Sequence, residues 1–145
     1  MRRPSNNPLV GVIACALFSG CTPRSLVVNA LAGSLSADSG IGDTFASDDD
    51  PELVRHAIPF GLKTMEGLAA EQRDHIGLLT SLASGFTQYA YAFVQADAEK
   101  AEIEGRVTEA RPIRERASRL FLRAREYGLR GLDARHGGLR RTCAA

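Results

Sequence analysis

The stretch Ser84-Gly85-Phe86-Thr87-Gln88-Tyr89-Ala90-Tyr91-Ala92-Phe93-Val94-Gln95-Ala96-Asp97 constrains the fold most. It holds two of the three tyrosines and two of the six phenylalanines. With Ile76-Gly77-Leu78-Leu79 before it, it reads as one long helix, apolar on most of its circumference. A helix of that kind has to be buried by other helices. The rest of the chain is suited to covering it, since Leu, Ala, Arg and Glu are plentiful, β-branched runs are few and Trp is absent. That composition leans helical, and 145 residues support at most one domain. The predicted fold class is all-α, built of antiparallel helix hairpins.

The amino terminus reads as a targeting signal. Arg2 and Arg3 precede an apolar run, Leu9–Phe18, that is of signal-peptide length and too short to span a bilayer as a mature helix. It ends in Phe18-Ser19-Gly20-Cys21, which resembles a bacterial lipobox, although Leu is commoner than Phe at the first position. On that reading residues 1–20 are a lipoprotein signal peptide, Cys21 is the lipidation site, and 21–25 are a lipidated tether. Several acyl chains at about 0.8 kcal/mol per buried methylene anchor stably. The alternative is an ordinary signal peptide with a coincidental cysteine. Thr22, rather than Asp, follows Cys21, which by analogy with bacterial sorting points to the outer membrane, facing the periplasm. Cys15 would leave with the signal and Cys143 stands alone in the tail, so no intramolecular disulfide is expected.

Residues 26–139 read as one helical domain. Ser25 can cap a helix bearing Leu26, Val27, Ala30, Leu31 and Leu35, and Ser34–Gly42 reads as a loop. Asp50 before Pro51 and Glu52 is a helix start, and Asp48, Asp49 and Asp50 lack the spacing of a calcium loop. The helix that follows runs to about Ala70, with Leu53, Val54, Ala57, Phe60, Leu62, Met65 and Leu68 facing inward and a kink near Arg55 to Pro59. Asp74 is placed as cap of the central helix, His75 to about Ile103, whose charged end from Asp97 is expected to project into solvent. Gly105 makes the next connection. A last helix begins near Thr108 or Arg111, carries Ile113, Ala117, Leu120, Phe121, Ala124, Tyr127 and Leu132 inward, and stops at His136-Gly137-Gly138. Residues 140–145 form an atypical tail.

Charge is segregated. Thr22–Ala110 carries fourteen acidic and six basic residues, whereas Arg111–Ala145 carries three acidic residues and ten arginines. A basic helix is one signature of nucleic-acid binding. In an exported protein it reads instead as an Arg-rich face that complements acidic neighbouring helices, and no nucleic-acid partner is expected.

No catalytic constellation emerges. His56, His75 and His136 lack metal spacing. No serine sits in a nucleophile elbow, and Glu99, Glu102 and Glu104 read as a solvated face. The expectation is no enzyme, no metal and no cofactor. The polar groups of interest are Gln88, Tyr91 and Gln95, which fall on one helix face at spacings of three and four. They read either as interhelical hydrogen bonds that fix register or as a pore or ligand-binding face, since apolar walls with a few oriented polar groups suit a small organic ligand.

Ala117, Phe121 and Ala124 have the spacing of the second helix of a tetratricopeptide repeat, while the first-helix signature is degenerate. Four longer blocks carry a more specific resemblance: Phe45–Arg55, Pro59–Glu66, Gly85–Gln95 and Arg116–Leu132. Together they resemble the T-component (TatT) family of TRAP transporters, periplasmic lipoproteins built of tetratricopeptide-like helix pairs. The resemblance implies an accessory scaffold that pairs with a periplasmic solute-binding (P) subunit, is held to the membrane by its lipid, and in some members forms a homo-oligomer with a pore for apolar or organic-acid ligands. A generic helical-repeat lipoprotein serving envelope assembly is the alternative, and an enzyme accessory domain a third reading. Family members continue past the position of Gly138, whereas Leu139–Ala145 does not resemble a further helix. A truncated or frameshifted chain, with its central helix left partly exposed, is the expectation.

Overall fold

The structure is a computed structural model that describes residues 47–137. The helix expected over 26–35, the lipobox with Cys21, Phe45, Gly138 and the tail with Cys143 lie outside the described residues.

Helix α1 (Pro51–Glu71) starts as its sequence dictates. The Asp50 carboxylate accepts from the backbone N–H groups of Glu52 (3.1 Å) and Leu53 (3.0 Å), and Pro51 occupies the first turn, where a missing N–H costs nothing. The helix runs continuously through Pro59. Helix α2 (Ile76–Tyr89) follows a short turn, and its cap differs from expectation. The ring Nδ1 of His75 accepts from Leu78 N–H at 3.1 Å. Because the helix begins at Ile76, His75 rather than Asp74 holds the capping position.

The central rod continues through a π-helical segment, Ala90–Gln95, into α3 (Ala96–Ile103). Gly105, at φ +78°, then reverses the chain in a conformation that only glycine adopts freely, and Gly105 and Arg106 donate to the carbonyls of Glu102 and Ala101. Helix α4 (Val107–His136) spans about 45 Å at 1.5 Å per residue and ends at Gly137, φ +57°.

Successive rods are antiparallel. Arg55 of α1 reaches Asp97 of α3 at one end, and Arg130 of α4 reaches the carbonyl of Arg73 at the other. The central rod lies against both α1 and α4. Leu78, Leu79 and Leu82 are fully buried, and Leu62, Phe86, Tyr89 and Val94 complete the core. Helix α4 meets the rod through Ala110, Ala117, Ala124 and Gly131, every seventh residue and all buried. These small residues bring the backbones close: a Cβ on Gly131 would stand 3.5 Å from Leu79 Cβ.

Several inward expectations are corrected. Leu53 (58 % exposed) and Phe60 (79 %) point away from the core on the outer face of α1, and Leu132 is half-exposed. The apolar arc of α1 is wider than its neighbours among the described residues cover. The central helix is likewise buried on part of its circumference, leaving Thr80, Ser84, Thr87, Gln88 and Tyr91 exposed on one side. The end of the rod does not simply project: Ala98 and Ala101 are buried, while Glu99, Lys100 and Glu102 are exposed.

Candidate functional site

The three polar residues singled out from sequence do not share an environment. Gln88 and Tyr91 are exposed, Tyr91 by 66 %, and Gln95 is half-buried. Gln88 Nε2 donates to Ser84 Oγ (2.9 Å) and Gln95 Nε2 to Glu99 Oε1 (2.8 Å), both one turn away on the same rod. The expectation of interhelical hydrogen bonds is therefore corrected for these two: on a helix, a partner four residues away is the nearest one available. Thr87 behaves alike, donating to the Ala83 carbonyl at 2.8 Å. The π segment between Tyr89 and Ala96 changes the angular step per residue, so the 88–91–95 face drawn for a regular helix is not kept.

Two hollows are built around α4. The first, about 670 Å³, lies where the ends of α1 and α4 approach the first turn, and is lined in part by Glu66, Ala69, Arg73, Tyr127, Arg130 and Asp133. Glu66 is its electrostatic anchor, with a side chain only 8 % exposed. Its carboxylate accepts from Tyr127 Oη (2.8 Å) and Lys63 Nζ (2.7 Å) and pairs with Arg123 Nε (2.6 Å). Burial alone pushes this carboxyl's pKa up, but the hydrogen bonds from Lys63 and Tyr127 and the Arg123 charge outweigh it, and the group sits below its ordinary value. The same contact acts oppositely on Tyr127: burial, then the hydrogen bond to Glu66, raise its hydroxyl.

The second hollow is a groove of about 370 Å³ on the other flank of α4. Ala117 and Phe121 form its floor, Ser118 and Leu122 its outer edge, and Arg114 and Arg125 its two ends, with Gln95 contributed by the π segment. Leu122 is 55 % exposed. Glu102 of α3 holds Arg114 in place through two contacts, of 3.1 and 2.5 Å. Of the candidates from sequence, Gln95 lines this groove; Gln88 and Tyr91 line neither hollow.

Sequence reasoning missed the groove, although its signal was present. Arg111, Arg114, Ser118, Leu122, Arg125, Leu129 and Leu132 recur at spacings of three and four, the mark of one helix flank. They were hidden among other arginines. Those turn the other way: Arg123 pairs with Glu66, and Arg116, Arg123 and Arg130 each lie over an aromatic ring, Tyr89, Phe86 and Tyr127 respectively, at 5.8, 5.2 and 5.4 Å.

The sequence profile of the TRAP transporter T-component family matches residues 47–145, more than half of the chain. The chain is also 28 % identical over 139 residues to an uncharacterized protein of Treponema pallidum (strain Nichols), an alignment that covers 88 % of this chain and 43 % of that protein. This chain thus spans less than half the length of the relative it matches. No solved structure matches it significantly. The chain belongs to the TRAP transporter T-component family, a family of transporter accessory subunits rather than of enzymes.

Proposed function

We propose that this T-component is a lipid-anchored accessory subunit of a TRAP-type uptake system, standing on the periplasmic side of the outer membrane and scaffolding the solute-binding subunit. Membership of the T-component family carries the reading, because a transporter component implies association with other subunits of its transporter. The fold is consistent with a scaffold. Its core is closed by Leu78, Leu79 and Leu82, while Leu53, Phe60, Tyr91, Leu122 and Leu132 remain outside for contact. The anchor would be Cys21, acylated after removal of residues 1–20; none of the described helices is long and apolar enough to cross a membrane. The helix pairs would stack as tetratricopeptide-like hairpins. Passage of an apolar or organic-acid ligand through a pore within a homo-oligomer completes the proposal.

The test is recovery of the solute-binding subunit from the same genome. The purified chain, immobilised, should retain that subunit from a periplasmic extract. Failure to retain it, with the chain shown to be helical by circular dichroism, rejects the scaffold role.

A further inference from the structure

We infer that residues 25–35 of this chain fold back as a helix onto the outer face of α1 and cover Leu53 and Phe60. That segment lies outside the described residues, and α1 presents the surface it fits.

Leu53, Ala57, Phe60 and Thr64 recur at spacings of four, three and four, so they stand in one row along α1. Leu53 and Phe60 are the exposed apolar side chains of that row. The row carries no charge, and the Thr64 hydroxyl is satisfied within the helix, donating to the Phe60 carbonyl at 3.0 Å. Ionisable side chains of α1 outside the row are engaged elsewhere: His56 with Glu52 (3.1 Å), Lys63 with Glu66 (2.7 Å) and Arg55 with Asp97 (2.7 Å). A Cβ on Gly67, two turns past Phe60, would meet nothing within 4 Å, so the backbone there is open to close approach.

Sequence and connectivity choose the occupant. After Arg24, two stretches longer than ten residues lack Asp, Glu, Lys and Arg: 25–37 and 75–96. The second supplies the fully buried Leu78, Leu79 and Leu82 of the central rod. The first has the same character in a chain that is 24 % charged, and its Leu26, Val27, Ala30, Leu31 and Leu35 need cover of the same kind. As a helix, residues 25–35 rise about 16 Å, the length of the row from Leu53 to Thr64. The connection, 36–50, reaches about 50 Å when extended, against about 31 Å for α1, and Gly40 and Gly42 ease the reversal. Tethering gives the segment an effective concentration on the order of millimolar, which favours it over a separate protein. The likeness to the Treponema protein covers 88 % of this chain, and a span of that length includes residues 25–35.

The docked helix withdraws Leu53 and Phe60 from the surface open to other subunits and leaves Tyr91, Leu122 and Leu132. Where Cys21 is acylated as proposed above, only residues 21–24 separate the anchor from the folded body, about 14 Å when extended. The docking itself does not depend on the lipid.

The experiment is hydrogen–deuterium exchange, read by mass spectrometry on the purified full-length chain. Amides of residues 26–35 should exchange at least tenfold more slowly than unstructured chain. Phe60→Asp should bring them within twofold of the unstructured rate while residues 78–82 keep their protection, which shows the core intact. Phe60→Ser, a milder change, should act in the same direction, and Leu31→Asp should free the segment alike. Cys21→Ser should leave the pattern unchanged, so failure of the anchor and failure of the docking are told apart. Residues 26–35 that exchange at the unstructured rate in the wild type overturn the inference. Protection that survives both Phe60 substitutions places the segment elsewhere and overturns it. Protection that falls on dilution, with a dimer in the ultracentrifuge, assigns the α1 face to a second copy and overturns it too.

Discussion

Removal of the Glu66 carboxylate should reveal how far one buried charge ties the two outer helices together. The side chain is 8 % exposed and meets three partners on two helices. Lys63 is 66 % exposed and one turn away, so that pair contributes about 0.3–0.5 kcal/mol. The Arg123 side chain is 46 % exposed, and solvent screening limits that pair to about 1 kcal/mol. The Tyr127 hydrogen bond adds about 1 kcal/mol. Glu66→Ala should therefore cost about 2–3 kcal/mol, and Glu66→Gln, which keeps an acceptor for Tyr127, about 1 kcal/mol. Urea unfolding followed by far-UV circular dichroism measures both. The sharper measurement is a double-mutant cycle of Glu66→Ala with Tyr127→Phe, with an expected coupling of about 1 kcal/mol. Strict additivity would show that the contact contributes nothing and would refute the reasoning. The pH dependence gives an independent reading. The Glu66 carboxyl is held below its ordinary value, so its stabilisation is complete above the unfolded pKa of about 4.3 and is lost as pH falls through the lower folded value. The gap between wild type and Glu66→Gln should be full at neutral pH and close in acid below about pH 4. A gap that stays constant into acid would contradict that assignment.

Other substitutions probe the core, the close helix contacts and the anchor. Leu82→Ala opens a cavity at a fully buried position and should lower stability by about 2–5 kcal/mol, read as a reduced urea midpoint with an unchanged m-value. Gly131→Ala places its new methyl at ordinary contact distance from Leu79 and should gain about 0.5–1 kcal/mol from helix propensity. Gly85→Ala would meet Leu62 Cδ2 at 2.7 Å, and Leu62 is itself buried, so the same propensity gain should be cancelled; a rise in Tm equal to that of Gly131→Ala would show that Leu62 yields freely. Cys21→Ser should abolish incorporation of labelled fatty acid in cells, and persistent labelling would remove Cys21 as the anchor.

Helix existence was legible because local signals agreed. Asp50-Pro51, Gly105 and Gly137 mark three ends by capping or turn chemistry, and these signals act within a few residues. Which side of a helix faces inward was less legible. Leu53 and Phe60 carry the same apolar chemistry as Val54 and Leu62, and only the number of neighbours decides between them. The central rod shows the same limit. Its Thr80, Ser84, Thr87 and Gln88 recur at helical spacing and foretell an exposed side, but Phe86 among them and Tyr89 and Tyr91 after them hide that pattern. The π segment gave no sequence signal at all, and it undid the face drawn through Gln88, Tyr91 and Gln95. The groove was missed because arginine serves two purposes on α4, and only the identity of the facing helix separates them.

That division of labour also addresses how α4 finds its place. Its contact seam of Ala110, Ala117, Ala124 and Gly131 repeats every seven residues, and so do Arg116, Arg123 and Arg130. Small side chains allow close approach but distinguish poorly between one alignment and another displaced by seven residues. Core packing alone is therefore a weak guide to register, as in any seam with a regular repeat. Glu66 and the Arg73 carbonyl are themselves seven residues apart, so the degeneracy is broken by the contacts that do not repeat, Tyr127 on Glu66 and Arg114 on Glu102. Glu66 receives Arg123, the Arg73 carbonyl receives Arg130, and Glu102 receives Arg114. A displacement by seven residues would bring Arg116 or Arg130 to Glu66, but Tyr127 would leave it and Arg114 would lose Glu102. Pairs that are partly exposed add little net stability, yet losing several at once makes the wrong alignment the costlier one. The acidic excess of the earlier helices and the arginines of the last are thus better read as instructions for alignment than as a reserve of stability. On the far flank, Arg111 pairs within its own helix with Glu115 and takes no part in that alignment.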